Sequence, residues 1–407
     1  MRHFLIIVFS ILMVVDAAAG GVLTGADRLR ASGCSMLRGK RVGLITNPTG
    51  VTSGFMSTAD VISRAEGVTL AAIFGPEHGV SGIHHAGGKY EADGRSAELR
   101  TYSLYGRHTK PTAEMLRGID VLVYDIQDIG CRSYTYISTM GLCMEAAAEN
   151  DIPFVVLDRP NPLGGEKVEG CVAEEGCRSF VSKYPIPYIY GLTCGELARL
   201  LNGEGMLRGG VKCRLTVVPM SGWRRDMLYS DTGLEWIPAS PHIPEAVTAL
   251  HYPTSGIMGE LGIMSIGVGY TLPFRTFAAE GVDAGAFARD LNALGLPGVR
   301  FRAISYKPFY QFGKGRVLSG VQVYITDWGR VSATDIQFEV LRLFSRLRPD
   351  RGVFSTVPKI KLRMFDIVCG SRQIRLKINK GDWDGARRYW HKDDHKFRKL
   401  SEKYMLY

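Results

Sequence analysis

Glu77 and His78 stand side by side in the stretch FGPEHGVSGIHH, residues 74–85, which follows directly on the apolar run VTLAAI. A connecting turn needs neither group, whereas general acid–base chemistry uses both. Glu77, held by glycine and proline beside His78, suits the acid role if partial burial raises its pKa. It can then deliver a proton to a leaving oxygen. Glu77, His78, His84 and His85 are also metal-ligand types. No HExxH helix is present, however, and the intervening GVSG is too pliant to fix a coordination geometry, so no metal site is expected.

Polar residues recur after the other apolar runs. TNPTG supplies Asn47, and YDIQDIGCRSY supplies Asp125, Gln127, Asp128, Arg132 and Tyr134, with Tyr136 just beyond; LDRPNPLGG supplies Asp158, Arg159 and Asn161. In an open parallel sheet, ligands bind beyond the carboxyl ends of the strands, so these residues are expected to converge on one edge around Glu77. Carboxylates, guanidinium groups and tyrosine rings suit sugar recognition. Splitting a glycosidic bond needs a carboxylic acid beside the leaving oxygen, and a second group that stabilises or attacks the anomeric carbon. Asp125, Asp128, Glu169 and Glu260 are the candidates for that second group. No GxGxxG follows the first strand and no GxxxxGK(S/T) occurs, so no nucleotide cofactor is expected; the absence of GxSxG argues against an α/β-hydrolase nucleophile.

The elements that must hold these residues alternate along the chain. RVGLIT, VTLAAIF, IDVLVYDI, IPFVVLD and CRLTVVPM read as strands, and STADVISRAEG, TAEMLRG, YISTMGLCMEAAAEN and CGELARLLNGEG as helices. Continuous apolar strands alternating with helices indicate an α/β fold, a doubly wound parallel sheet covered on both faces. Beyond about residue 240 the alternation weakens. IPASPHIPEAVTALHYP reads as a surface connection, Glu260 falls in an apolar glycine-rich strand, and a smaller α+β domain and a polar, aromatic tail follow. The expected division is residues 20–240 and 241–407.

The chain has 407 residues, 45% hydrophobic, with eight cysteines and a formal net charge of +10. Arg2 and His3 precede an apolar run ending in small residues, the order of a signal peptide over residues 1–19. The product is therefore expected to be exported, periplasmic or secreted, without stable membrane insertion after cleavage. Export permits disulfides, and Cys171 and Cys177 flank a polar loop that would suit one. The positive charge suits an anionic carbohydrate polymer better than nucleic acid, for which no motif is present.

GKRVGLITNPTGVT, FGPEHGVSG, YSLYG, VLVYDIQDIGCRSYTYISTMGLCMEAAAE, VLDRPNPLGGEKVEG and PIPYIYGLTCGELARLLNGE resemble, in order, the exo-β-N-acetylmuramidase family. These are exo-lytic peptidoglycan hexosaminidases, long catalogued as a domain of unknown function, and the resemblance runs from about residue 21 to the end. It implies a Rossmann-like domain bearing the active site, a smaller auxiliary domain and a cleft between them. The implied reaction removes terminal β-linked N-acetylmuramic acid, or a related N-acetylhexosamine, from peptidoglycan fragments. By this resemblance Glu77 is the likeness of the catalytic carboxylate, with His78 adjoining, and Asp125, Gln127, Asp128, Arg132, Tyr134, Tyr136, Asp158, Arg159 and Asn161 fall on family motifs.

The departures lie in the second half. Where the family pattern reads EGTN-S-GRGT--PFE, this chain retains Glu260, Ser265, Gly267 and Gly269. It has Gly262-Ile263 for threonine-asparagine, Val268 for arginine, Tyr270 for threonine and Arg275 for glutamate, while His242 fills an asparagine slot. A lost arginine and asparagine are groups that could grip a lactyl carboxylate or an N-acetyl group, so an altered sugar preference or a weakened site is expected. The rival reading is a non-catalytic envelope protein that binds cell-wall glycan without turning it over.

Overall fold

A computed structural model describes residues 21–83, 99–347 and 353–407; the expected signal peptide, His84 and His85 lie outside the described residues. Six parallel strands form the main sheet: β1 (Arg41–Thr46), β2 (Thr69–Gly75), β3 (Arg100–Ser103), β4 (Val121–Asp125), β5 (Phe154–Leu157) and β6 (Leu215–Val218). Their spatial order is β3-β2-β1-β4-β5-β6, the arrangement of a Rossmann-like doubly wound sheet.

The central strands read as unbroken apolar runs because both faces are covered. Successive side chains enter different cores. Val42, Leu44, Val121, Val123, Val155 and Leu157 pack with Ala26 and Leu29 of α1 (Gly25–Ala31) and Val61 and Ile62 of α2 (Thr58–Ser63). Ile45, Leu122, Tyr124, Phe154 and Val156 face the other way, toward α3 (Tyr136–Glu149) and α4 (Cys194–Gly203). TAEMLRG, expected to be helical, is a series of turns instead. Only Leu116 of that stretch buries deeply, too few apolar positions to hold a helix against the sheet.

The second body contains α5 (Ala246–Gly259), β7 (Thr276–Ala279), α6 (Ala284–Ala293), β8 (Val299–Tyr306), β9 (Leu318–Ile325) and α7 (Asp335–Leu347), with an antiparallel sheet ordered β7-β9-β8. α5 overturns the expected surface connection. It runs through Pro253, whose carbonyl accepts from Gln337 Nε2 at 2.9 Å, and its buried face includes His251, Thr254, Ser255 and Ile257. Glu260 therefore caps a helix rather than lying in a strand.

The tail is also more ordered than its polarity implied. It folds into α8 (Lys359–Cys369), α9 (Arg372–Asn379), α10 (Trp383–Trp390) and α11 (Asp394–Ser401). Part of its charge is met internally: His391 bridges Asp335 and Asp394, at 2.9 and 2.6 Å, and Arg387 pairs with Asp335 at 2.8 Å. Those carboxylates hold the imidazole well above its ordinary range, at about 10, against the opposing effect of burial. One apolar core spans both bodies, and Trp390 packs against Tyr188 of the first with ring centres 5.9 Å apart.

All eight cysteines lie among the described residues, buried and unpaired. The expected Cys171–Cys177 bridge is not formed, and the Cys171 thiol instead lies 3.3 Å from the carbonyl of Cys369. Among the described residues no helix is long and apolar enough to cross a membrane.

Candidate active site

At the end of β2 the chain doubles back on itself. A Cβ on Gly75 would lie 2.8 Å from the backbone nitrogen of Val80, so glycine is needed there. Gly79 N–H donates to the Pro76 carbonyl at 3.0 Å, closing a four-residue turn with Glu77 and His78 at its centre. His78 takes a left-handed φ of 74°, a conformation non-glycine residues rarely adopt and one often found at functional sites.

Glu77 is only 9% exposed and faces a cleft of about 590 Å³ between the two bodies. Thr135 Oγ1 donates to Glu77 Oε2 at 2.7 Å. Thr135 directly precedes α3, so the carboxylate lies at the positive end of a 14-residue helix. A wall of Tyr134, Tyr136, Tyr252 and Phe274 stands beside it, with ring centres 4.8 Å apart for the Tyr134–Tyr136 and Tyr252–Phe274 pairs. Burial pushes the phenols of Tyr134 and Tyr252 upward, so both remain hydroxyl donors. Ser133 Oγ lies 3.0 Å from the hydroxyls of both Tyr188 and Tyr252.

The opposite side comes from the second body. Glu260 lines the cleft, and burial raises its carboxyl pKa, an effect partly offset by the charge of Lys361. Among the described residues lining the cleft, Glu77 and Glu260 are the only carboxylates. Val268, Gly262 and His242, three of the departures from the family pattern, line it too.

Glu77, His78, Tyr134, Tyr136 and Glu260 are thus brought together. The four strand ends share one edge of the sheet, but the other sequence-selected residues do not line this cleft. The switch point between β1 and β4 is filled by the protein's own hydrogen bonds. Asn47 Oδ1 accepts from Thr49 N–H and Oγ1 at 3.0 and 2.5 Å, forming a local turn. Asp125 is fully buried; Arg159 grips it with Nε and Nη2 at 2.6 and 2.9 Å, and Thr58 Oγ1 donates to it. Gln127 Nε2 donates to the carbonyls of Asp128 and Pro160, at 2.7 and 2.8 Å.

The remaining four act in the same structural way. Asp158 accepts from Thr193 Oγ1, Gly195 N–H and Tyr407 OH at 2.7–2.8 Å, fastening the start of α4. Asn161 Nδ2 donates to the Leu192 carbonyl at 2.9 Å. Arg132, with no exposed surface, donates to the carbonyls of Cys171, Ile186 and Val368 at 2.7, 2.6 and 3.0 Å, joining the first body to α8. Asp128 accepts from Gly130 N–H at 2.7 Å and from Tyr190 OH, while its Oδ1 is buried without a hydrogen-bond partner. Glu169, a further candidate for the second carboxylate, is engaged by Thr334 N–H and Oγ1 at 2.9 and 2.7 Å.

Burial raises Asp128 from its ordinary 3.8 to about 6, outweighing the hydrogen bonds from Tyr190 and Gly130. Because the folded pKa is the higher one, this group's contribution to stability is complete below about pH 4. It is lost as pH rises toward 6, where the folded chain still holds a proton the unfolded chain has released. Asp128→Asn removes that titration. Relative to wild type, the variant should gain about 2 kcal/mol of unfolding free energy between pH 4 and pH 7, read from urea midpoints. A difference independent of pH would show that the carboxyl is not held protonated.

Sequence reasoning missed Thr135, Tyr252 and Lys361. Thr135 sat unremarked among the CRSYTYIS tyrosines, Tyr252 in the supposed connection, and Lys361 in the polar tail. Among the described residues no group of three His, Cys, Asp or Glu side chains is placed to hold a metal ion.

Comparison with known proteins gives this geometry its lineage. Residues 42–247 match the model described as exo-β-N-acetylmuramidase NamZ, N-terminal, and residues 250–407 match its C-terminal counterpart. The chain belongs to the exo-β-N-acetylmuramidase NamZ family. It is 40% identical to the peptidoglycan β-N-acetylmuramidase NamZ of Bacillus subtilis strain 168 over 390 residues, covering 95% of this chain and 91% of that protein. Two solved structures from Bacteroides fragilis NCTC 9343, each described as a DUF1343 family protein, share the fold over 95% of this chain and 99% of theirs. One superposes with a TM-score of 0.91 at 56% identity, the other with 0.74 at 26%. In this NamZ-family chain the cleft falls between the regions matched by the two family models.

Proposed function

We propose that this chain is an exo-acting glycoside hydrolase that releases terminal β-linked N-acetylmuramic acid from peptidoglycan fragments, with Glu77 as general acid and base. The observation that carries the reading is the pairing of two carboxylates across one cleft. Glu77 is held by Thr135 Oγ1, and Glu260 stands on the facing body. In the reaction the Glu77 carboxyl gives its proton to the glycosidic oxygen as the bond from that oxygen to the anomeric carbon breaks. Water, which surrenders a proton to the same carboxylate, completes hydrolysis. Glu260, the other carboxylate lining the cleft, is the second group of the pair. The aromatic wall packs on the ring, and Tyr134 and Tyr252 offer it hydroxyl hydrogen bonds. The name of the B. subtilis relative supports the choice of sugar, and an export signal at residues 1–19 would bring the enzyme to its polymer.

The purified protein should release chromophore from a 4-nitrophenyl β-N-acetylmuramide at least about tenfold faster than from the matching β-N-acetylglucosaminide. Release from neither would overturn the assignment, and a clear preference for the glucosaminide would overturn the choice of sugar.

A further inference from the structure

We infer that Lys361, on α8, is the specificity-determining cation of the cleft, receiving the carboxylate that distinguishes N-acetylmuramic acid from N-acetylglucosamine. The inference rests on the glycosidase reading above and deepens it. Muramic acid carries a lactyl carboxylate that glucosamine lacks, so a site that selects it needs a positive group facing the sugar. Among the described residues lining the cleft, Lys361 is the only lysine or arginine. Its charge reaches Glu260, where it opposes the effect of burial on that carboxyl, so it acts in the same space as the catalytic carboxylates.

Two departures from the family pattern fit together around this ammonium. Val268, which lines the cleft, stands where the resemblance has arginine. Gly262 stands where it has threonine, and a Cβ at 262 would fall 1.9 Å from Lys361 Nζ. Its φ of +61° also disfavours a β-branched residue. The missing side chain at 262 is thus the room in which the Lys361 head group lies. Lysine presents a compact, mobile point charge instead of a planar fork, so it can follow a lactyl group of variable torsion.

The test compares two substrates that differ only in charge, the chromogenic β-N-acetylmuramide and its lactyl carboxamide. Lys361→Met should raise KM for the carboxylate substrate about tenfold, with kcat changed less than about threefold. The carboxamide should respond far less, and Lys361→Arg should recover most of the lost selectivity. Lys361 is exposed, so these variants are expected to fold, and urea midpoints check that they do. Equal effects on both substrates, or no effect on either, would overturn the assignment while leaving the glycosidase reading intact. A wild-type protein inactive on both would instead remove that reading and this inference with it.

Discussion

Glu77→Gln should lower kcat/KM on the chromogenic muramide by roughly 10²–10⁴-fold, the range removed with a general acid. The substitution changes one atom, and the amide oxygen can still accept from Thr135 Oγ1, now 2.7 Å from the carboxylate. The turn that presents the residue is set by Gly75, His78 and Gly79 rather than by the carboxylate charge. Folding should therefore be nearly unaffected, with a melting temperature within a few degrees of wild type, and binding of the sugar product should persist. This separates an enzyme from a glycan-binding protein, which has no turnover to lose. Activity within tenfold of wild type would mean that another group supplies the proton.

The second large effect is on stability. Asp125→Ala leaves the Arg159 guanidinium buried, without the carboxylate it meets at 2.6 and 2.9 Å. Breaking a buried pair from one side typically costs about 3–5 kcal/mol, because the remaining charge loses its partner without regaining water. Urea unfolding should show a loss of that order, while KM of the folded fraction stays near wild type. Normal stability with a raised KM would return Asp125 to the substrate and contradict the placement seen here. The sequence alone favoured the substrate role, so this variant decides between two concrete readings.

The architecture was legible because its signal is local. RVGLIT, VLVYD and FVVL are apolar on both sides, and only a sheet covered twice accommodates that. The turn carrying Glu77 was legible for a similar reason, since glycine and proline around a carboxylate mark a forced presentation. What could not be read was direction. Asp125 and Glu77 both stand at the ends of parallel strands, yet one side chain meets an arginine from the neighbouring strand end and the other meets a cleft. That difference depends on Arg159, Thr58 and Thr135, contacts 34, 67 and 58 positions away along the chain. α5 was hidden by Pro253, which usually argues against a helix interior but is accommodated where neighbouring elements bond the carbonyl it exposes. The C-terminal helices were hidden by their polarity, being amphipathic elements that bury one narrow face.

Arg132 bears on how the enzyme selects its substrates. It fastens the segment that leads into the tyrosine wall to the last turn of α8, the helix that also carries Lys361. A shared apolar core lies behind that fastening, so one buried guanidinium couples the register of the two cleft walls.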